Sequence, residues 1–174
     1  MIPYSDSLVK VYSSYFGVYV DIKDVVISKM FSYITDHSEE LEAGGVLIGY
    51  KVKDSNSIVI EDVTEPDTQD ERSRFYFVRK SVQHLNTVIK KKKLKSFCIG
   101  NWHTHPFSMN PNPSSVDNNT WNKELIECKS GHGFQIFIIC GREGFRVWIG
   151  KENDLVIQEC QECAMIDGLY VEEK

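Results

Sequence analysis

Apolar positions along this chain recur with two periods, and the switches between them outline its elements. From Leu8 to Ile22, Val9 and Val11, then Val18, Val20 and Ile22, alternate with polar or aromatic residues around Gly17, which predicts two short strands or one bent strand. Between Asp24 and Ser38 the period changes: Val25, Ile27, Met30, Phe31 and Ile34 recur near helical spacing, with Asp24 placed to cap the first turn. Gly44 to Tyr50 reads as a buried strand entered through glycines, and Ser57 to Val63 as its hairpin partner across the turn residues Asp54, Ser55 and Asn56. Glu65 to Ser73 is polar and reads as a loop, and Phe75 to Val78 as a return to strand. Lys80 to Lys93 set Val82, Leu85, Val88 and Ile89 on one helical face, and Ser96 to Gly100 form a strand that runs into a pair of histidines. Trp121, Leu125 and Ile126 predict a third helix ending near Gly131. Gln135 to Cys140 and Phe145 to Ile149 form a hairpin through residues 141–144, and Leu155 to Ile157 a last strand. Residues 159–174 carry no readable period, and no repeat or interdomain linker interrupts the chain.

Composition narrows the classes. A chain of 174 residues suits one domain over residues 1–174, and 41% hydrophobic with 26% charged residues is ordinary for a globular protein. A net charge of -5 argues against a nucleic-acid groove, and the cationic run Lys90 to Lys93 suits the negative end of a helix instead. The start, Met1 to Asp6, lacks the basic and apolar regions of a signal peptide. The longest apolar run, Phe134 to Cys140, falls far short of the roughly 20 residues that span a bilayer. A cytoplasmic protein without a membrane partner is therefore expected. Five cysteines (Cys98, Cys128, Cys140, Cys160 and Cys163) are odd in number and scattered, which suits reduced thiols. Cys160-x-x-Cys163 has no second pair to complete a zinc knuckle, and His37, His84 and His132 have no partner at ligand spacing.

Candidate chemistry concentrates between Gly100 and Asp117. His103 and His105 are two residues apart, so in an extended segment both imidazoles face one way and can meet one metal ion. Asp117 can add an oxygen after the chain turns back through Pro111 and Pro113. Two imidazoles and a carboxylate leave a fourth position open, as in catalytic rather than structural zinc sites. Ser114-x-x-Asp117 reads equally as a capping box at the start of a helix, and the two readings can coexist. Arg72, Arg74 and Arg79 suit either an acidic partner or a solvated strand edge.

The whole pattern is His103-x-His105-Pro106, seven residues, Ser114, two residues and Asp117, with Glu42-x-Gly44-Gly45-x-Leu47-x-Gly49 upstream. It resembles the JAMM motif of the JAB/MPN metalloproteases at every position, over about residues 18–150. A narrower resemblance, to the small bacterial JAB peptidases of CBASS anti-phage operons, rests on Asn101-Trp102-His103-Thr104-His105-Pro106, on Pro111-x-Pro113-Ser114, on Trp121 and on Asp70 to Arg79. Asn101 stands where an acidic residue is expected. The resemblance implies a single α/β domain with a curved mixed sheet flanked by helices, and one zinc ion held by His103, His105 and Asp117. It further implies Glu42 as the base for the hydrolytic water and Ser114 as the donor to the oxyanion. The implied activity is that of an isopeptidase acting on a protein substrate with a C-terminal tail, either a ubiquitin-like protein or a conjugated cGAS-like nucleotidyltransferase. A peptidase that trims sulfur-carrier or phage-tail proteins, and a metal-holding binding module without turnover, stay open beside it. Gly44 and Gly45 are expected to let a substrate tail add as a strand beside them, with Trp102 near it.

Overall fold

The computed structural model describes residues 9–35, 40–108, 111–127, 130–166 and 169–172. An antiparallel hairpin opens the described chain: β1 (Val9–Ser13) and β2 (Tyr19–Lys23) turn at Gly17, whose φ of 69° is accessible to glycine at no steric cost. Helix α1 (Asp24–Phe31) follows directly and buries Val26 and Met30. Its N-cap is Lys23, without a side-chain bond, and Asp24 lies instead in the first turn, favourable beside the helix's positive end. The hairpin of β3 (Gly44–Lys51) and β4 (Ser57–Val63) forms as its turn residues predict, with Asp54 at φ 57°.

Between β4 and α2 the chain makes a small separate sheet from β5 (Glu71–Arg72) and β6 (Phe77–Val78). Phe75 and Tyr76, expected in a strand, instead form the turn between these two short segments. Helix α2 (Val82–Lys92) is capped by Ser81, and most of its apolar row is exposed: Val82 is 52% exposed, Leu85 57% and Ile89 49%, with Val88 half-buried. Its inward contacts include polar ones, through buried His84 and through Lys91, which pairs with Asp62 at 2.7 Å. These are contacts that its apolar period alone does not encode.

Strand β7 (Phe97–Thr104) extends through the first histidine, and α3 (Ser115–Glu127), β8 (Phe134–Cys140), β9 (Phe145–Lys151), β10 (Val156–Glu159), β11 (Gln161–Ile166) and β12 (Leu169–Glu172) complete the chain. One ten-stranded sheet results, ordered β10-β9-β8-β7-β3-β4-β2-β1-β11-β12 and mixed, with β2/β4 and β7/β8 parallel. Register shifts within β3 against both β4 and β7 bend the sheet at its centre. The continuous apolar run of β8 is explained by burial on both faces. Ile136, Ile138 and Cys140 join the main core with Val26 and Met30 of α1, while Phe137 and Ile139 pack against Trp121 and Leu125 of α3. The Trp121 ring stacks on Phe137 with centroids 4.7 Å apart. Asn101 and His103 therefore share the α3 side of β7, and Trp102 and Thr104 the opposite side.

Both flanks of Gly44 and Gly45 are filled. Gly44 and Gly45 pair with His103 and Trp102 of β7, and on the other flank the Thr64 hydroxyl accepts the Val46 N–H at 2.7 Å while the Phe77 ring covers Gly44. A tail adding as a strand directly beside Gly44 and Gly45 would have to displace these contacts. The Trp102 indole is 1% exposed in the main core and donates to the Thr64 carbonyl at 2.9 Å. An added Cβ on Gly45 would lie 2.0 Å from that carbonyl oxygen. Gly45→Ala is therefore expected to destabilise the fold by about 3 kcal/mol, a heavy overpacking cost. Gly144→Ala, where nothing lies within 4 Å, serves as the neutral control in urea titrations.

Candidate active site

Strand β7 delivers His103, and His105 follows on a short loop tied down by its own N–H to the Cys140 carbonyl at 2.8 Å. Arg142, from the β8–β9 turn, donates to the Pro106 carbonyl at 2.7 Å and steadies the same loop. Asp117 arrives from the first turn of α3. There the capping box forms: the Ser114 N–H donates to the Asp117 carboxylate at 2.6 Å, and the Asp117 N–H to the Ser114 hydroxyl at 3.1 Å. The cap leaves Asp117 Oδ1 facing His103, while the capping oxygen Oδ2 also lies towards His105, so the cap and a metal-facing carboxylate are geometrically compatible.

The three side chains converge on one point. His103 Nε2 lies 3.0 Å from His105 Nε2 and 3.1 Å from Asp117 Oδ1, and His105 Nε2 lies 3.4 Å from Asp117 Oδ2. Zinc–ligand bonds of about 2.0–2.1 Å in a tetrahedron require ligand atoms about 3.3 Å apart, so both spacing and donor set fit one zinc ion. Glu42 stands outside this cluster, with Oε1 3.9 Å from His105 Nε2.

Electrostatics separates the two acids. Burial raises Glu42 to about 7, with Asp117 adding to the rise and His105 opposing it. Burial also works to raise Asp117, but its bonds to His103, His105 and Ser114 outweigh that and hold it well below the usual carboxylate range. His105 is raised, because Asp117 and Glu42 overcome the opposing effect of burial. One acid is thus held as an anion and the other poised near neutrality, the division expected of a ligand and a proton carrier.

An open groove of about 860 Å³ runs over this centre, between the segment Arg74–Arg79 and the start of α3. At one end the Arg74 guanidinium lies 4.4 Å from the Phe107 ring centroid. At the other, Asn101 accepts from Arg79 and donates to Glu124 at 2.6 Å, and burial raises the Glu124 carboxyl. Asn101, the departure from the expected acid, thus bridges a cation and an acid already supplied by the fold.

Remaining candidates resolve as structure. His84 is buried between Asp70 and Thr64, and Cys160 and Cys163 are free buried thiols, Cys160 pushed up to about 12 by burial and Glu159. His37 and Cys128 lie outside the described residues. Arg72, which donates to the Glu42 carbonyl, and the nearby bonded pair Asp70–His84 are not singled out by the chain pattern; their spacing of two and twelve residues matches no motif.

Two imidazoles and a carboxylate that meet at one point, beside a buried acid that stays off it, form a group that could hold a metal ion in a metal-dependent hydrolase. The chain belongs to the prokaryotic JAB family: residues 27–162 match the prokaryotic homologs of the JAB domain, and it is a peptidase of that family. It is 31% identical over 135 residues to a protein of Vibrio cholerae serotype O1 named CD-NTase/cGAS isopeptidase, covering 75% of this chain and 81% of that one. A protein of the same name from Escherichia coli strain TW11681 is 31% identical over 145 residues, covering 80% and 87%. The solution structure of a Desulfitobacterium hafniense protein shares the fold at a TM-score of 0.57 and 19% identity, covering 79% of this chain and 87% of that one. Among the described residues no helix is long and apolar enough to cross a membrane.

Proposed function

We propose that this chain is a zinc-dependent isopeptidase that frees a cGAS-like nucleotidyltransferase from a protein to which its C-terminal carboxyl has been joined. The convergence of His103, His105 and Asp117 beside Glu42, at the floor of an open groove, carries the reading. The two isopeptidase relatives support the substrate class.

In this reading the substrate tail lies along the groove beside β6, which among the described residues is paired along one edge, by β5. His103, His105 and Asp117 would hold the zinc ion, which when bound would supply Lewis acidity towards water and towards a carbonyl. Glu42, buried and poised near neutrality, takes the proton of the attacking water and delivers it to the amine that leaves. Ser114 accepts a bond from Asp117 N–H with its oxygen and keeps its own O–H for the oxyanion that develops on the scissile carbonyl.

The substrate class is tested with a panel of proteins whose C-terminal tails are fused to a reporter: a cGAS-like nucleotidyltransferase, a ubiquitin-like protein, a sulfur carrier and a phage-tail protein. Cutting at the nucleotidyltransferase junction in preference to the others is expected. Cutting confined to the sulfur-carrier or phage-tail junction would overturn the substrate and leave the reaction class standing.

A further inference from the structure

Glu42 belongs to neither of the regular elements beside it. It lies in the extended segment just before β3, so its backbone is set by what grips that segment from each side. On one side β7 holds Ala43: the Ala43 N–H donates to the Thr104 hydroxyl at 2.9 Å, and the Thr104 N–H to the Ala43 carbonyl at 2.8 Å. On the other side the grip comes from the groove wall. The Glu42 N–H donates to the Ser73 carbonyl at 2.7 Å, and Arg72 donates from Nε to the Glu42 carbonyl at 2.8 Å and from Nη2 to the Leu41 carbonyl at 3.2 Å.

The loop that carries Arg72 is closed at its neck by a buried carboxylate. Asp70 accepts the N–H groups of Asp67, Lys80 and Ser81, each at 2.8 Å, and its fourth bond, also 2.8 Å, is to His84 Nε2. The Asp70 carboxylate, which burial works to raise and these bonds hold low, only accepts, so His84 Nε2 carries a proton towards it. His84 Nδ1 meets the Thr64 hydroxyl at 2.6 Å, and that hydroxyl accepts from Val46 N–H. The Asp70 and His84 side chains are 0% and 3% exposed. Residues 71–80 are thereby fixed to the centre of the sheet, and they also supply Arg74, Phe75, Tyr76 and Arg79 to the groove.

We propose that Arg72 is a positioning residue for Glu42, and that the Asp70–His84–Thr64 relay anchors the loop so that groove wall and base are held as one unit. The inference rests on Glu42 acting as the base in the reaction proposed above. Arg72 touches neither ligand nor reacting atoms in this arrangement: it acts through the two carbonyls it holds. A planar guanidinium reaches both carbonyls at once, whereas a lysine ammonium reaches them as a single point.

The test uses the zinc-loaded full chain and the nucleotidyltransferase fusion. Arg72→Ala is expected to lower kcat by about 10- to 100-fold, since a misplacement of about 1 Å can cost about 100-fold, with KM changed by less than about threefold. Bound zinc stays stoichiometric, Arg72→Lys falls between the two, and added guanidinium at millimolar concentration restores part of the lost kcat. Asp70→Asn, which loosens the neck, raises KM as well because the wall moves with the base. The proposal is overturned if Arg72→Ala keeps kcat, if its whole loss lies in KM, or if the loss follows loss of zinc. Failure of the wild-type chain to cut the fusion would instead sink the isopeptidase reading.

Discussion

Glu42→Gln is expected to lower the rate of amide hydrolysis by about 100- to 10,000-fold with zinc content unchanged, the range lost when a positioned proton carrier is removed. Glutamine matches the shape of the side chain and can still hydrogen-bond, but it cannot take up and return a proton. The same substitution has a signature in metal-free protein. Glu42 is raised by burial to about 7, so the folded chain binds a proton that the unfolded chain releases near the ordinary glutamate value of 4.5. Its ionised form opposes folding, and stability therefore falls as pH rises from about 4.5 to about 7. Metal-free Glu42→Gln is expected to melt above metal-free wild type at pH 8, by an amount on the order of 1–3 kcal/mol, with the difference fading below pH ~5. Thermal melts at the two pH values, beside a single-turnover cleavage assay, measure both consequences.

Loss of a ligand is the second large effect. His105→Ala and Asp117→Ala are each expected to abolish stoichiometric zinc binding and reduce hydrolysis to that of the chelated protein. That exceeds the roughly 10- to 100-fold cost of disturbing groups behind the ligands. The two differ in stability, because Asp117 also caps α3 through the Ser114 N–H. Asp117→Ala carries an added cost of about 1 kcal/mol, and Asp117→Asn recovers most of it without recovering metal. Zinc content by elemental mass spectrometry and melts of the metal-free variants separate the two roles of this one side chain.

The site was legible where chemistry depends on spacing along the chain. His-x-His on an extended strand and Ser-x-x-Asp at a helix start are local rules, and the structure brings these residues together as the spacing implies. Other parts depend on partners distant in sequence. On α2, His84 and Lys91 bond inward to Asp70 and Asp62, contacts that its apolar period does not encode. The short strands β5 and β6 pair over two residues each and leave no period to read. Strand β11 begins Gln161-Glu162 and pairs with β1, a contact across some 150 residues that a local pattern does not encode. The glycines that open β3 carry a related ambiguity: a missing side chain is equally the mark of a docking edge and of a backbone pressed against Thr64.

The central claim is best tested by intact-mass spectrometry of the products formed when zinc-loaded wild type meets a cGAS-like nucleotidyltransferase joined through its C-terminal carboxyl to a lysine of a target protein. The result expected is a released nucleotidyltransferase with its full C-terminus and a target with a free lysine, both absent with Glu42→Gln and with a chelator. Cleavage inside the tail that leaves residues on the lysine, or release undiminished by Glu42→Gln, would contradict it.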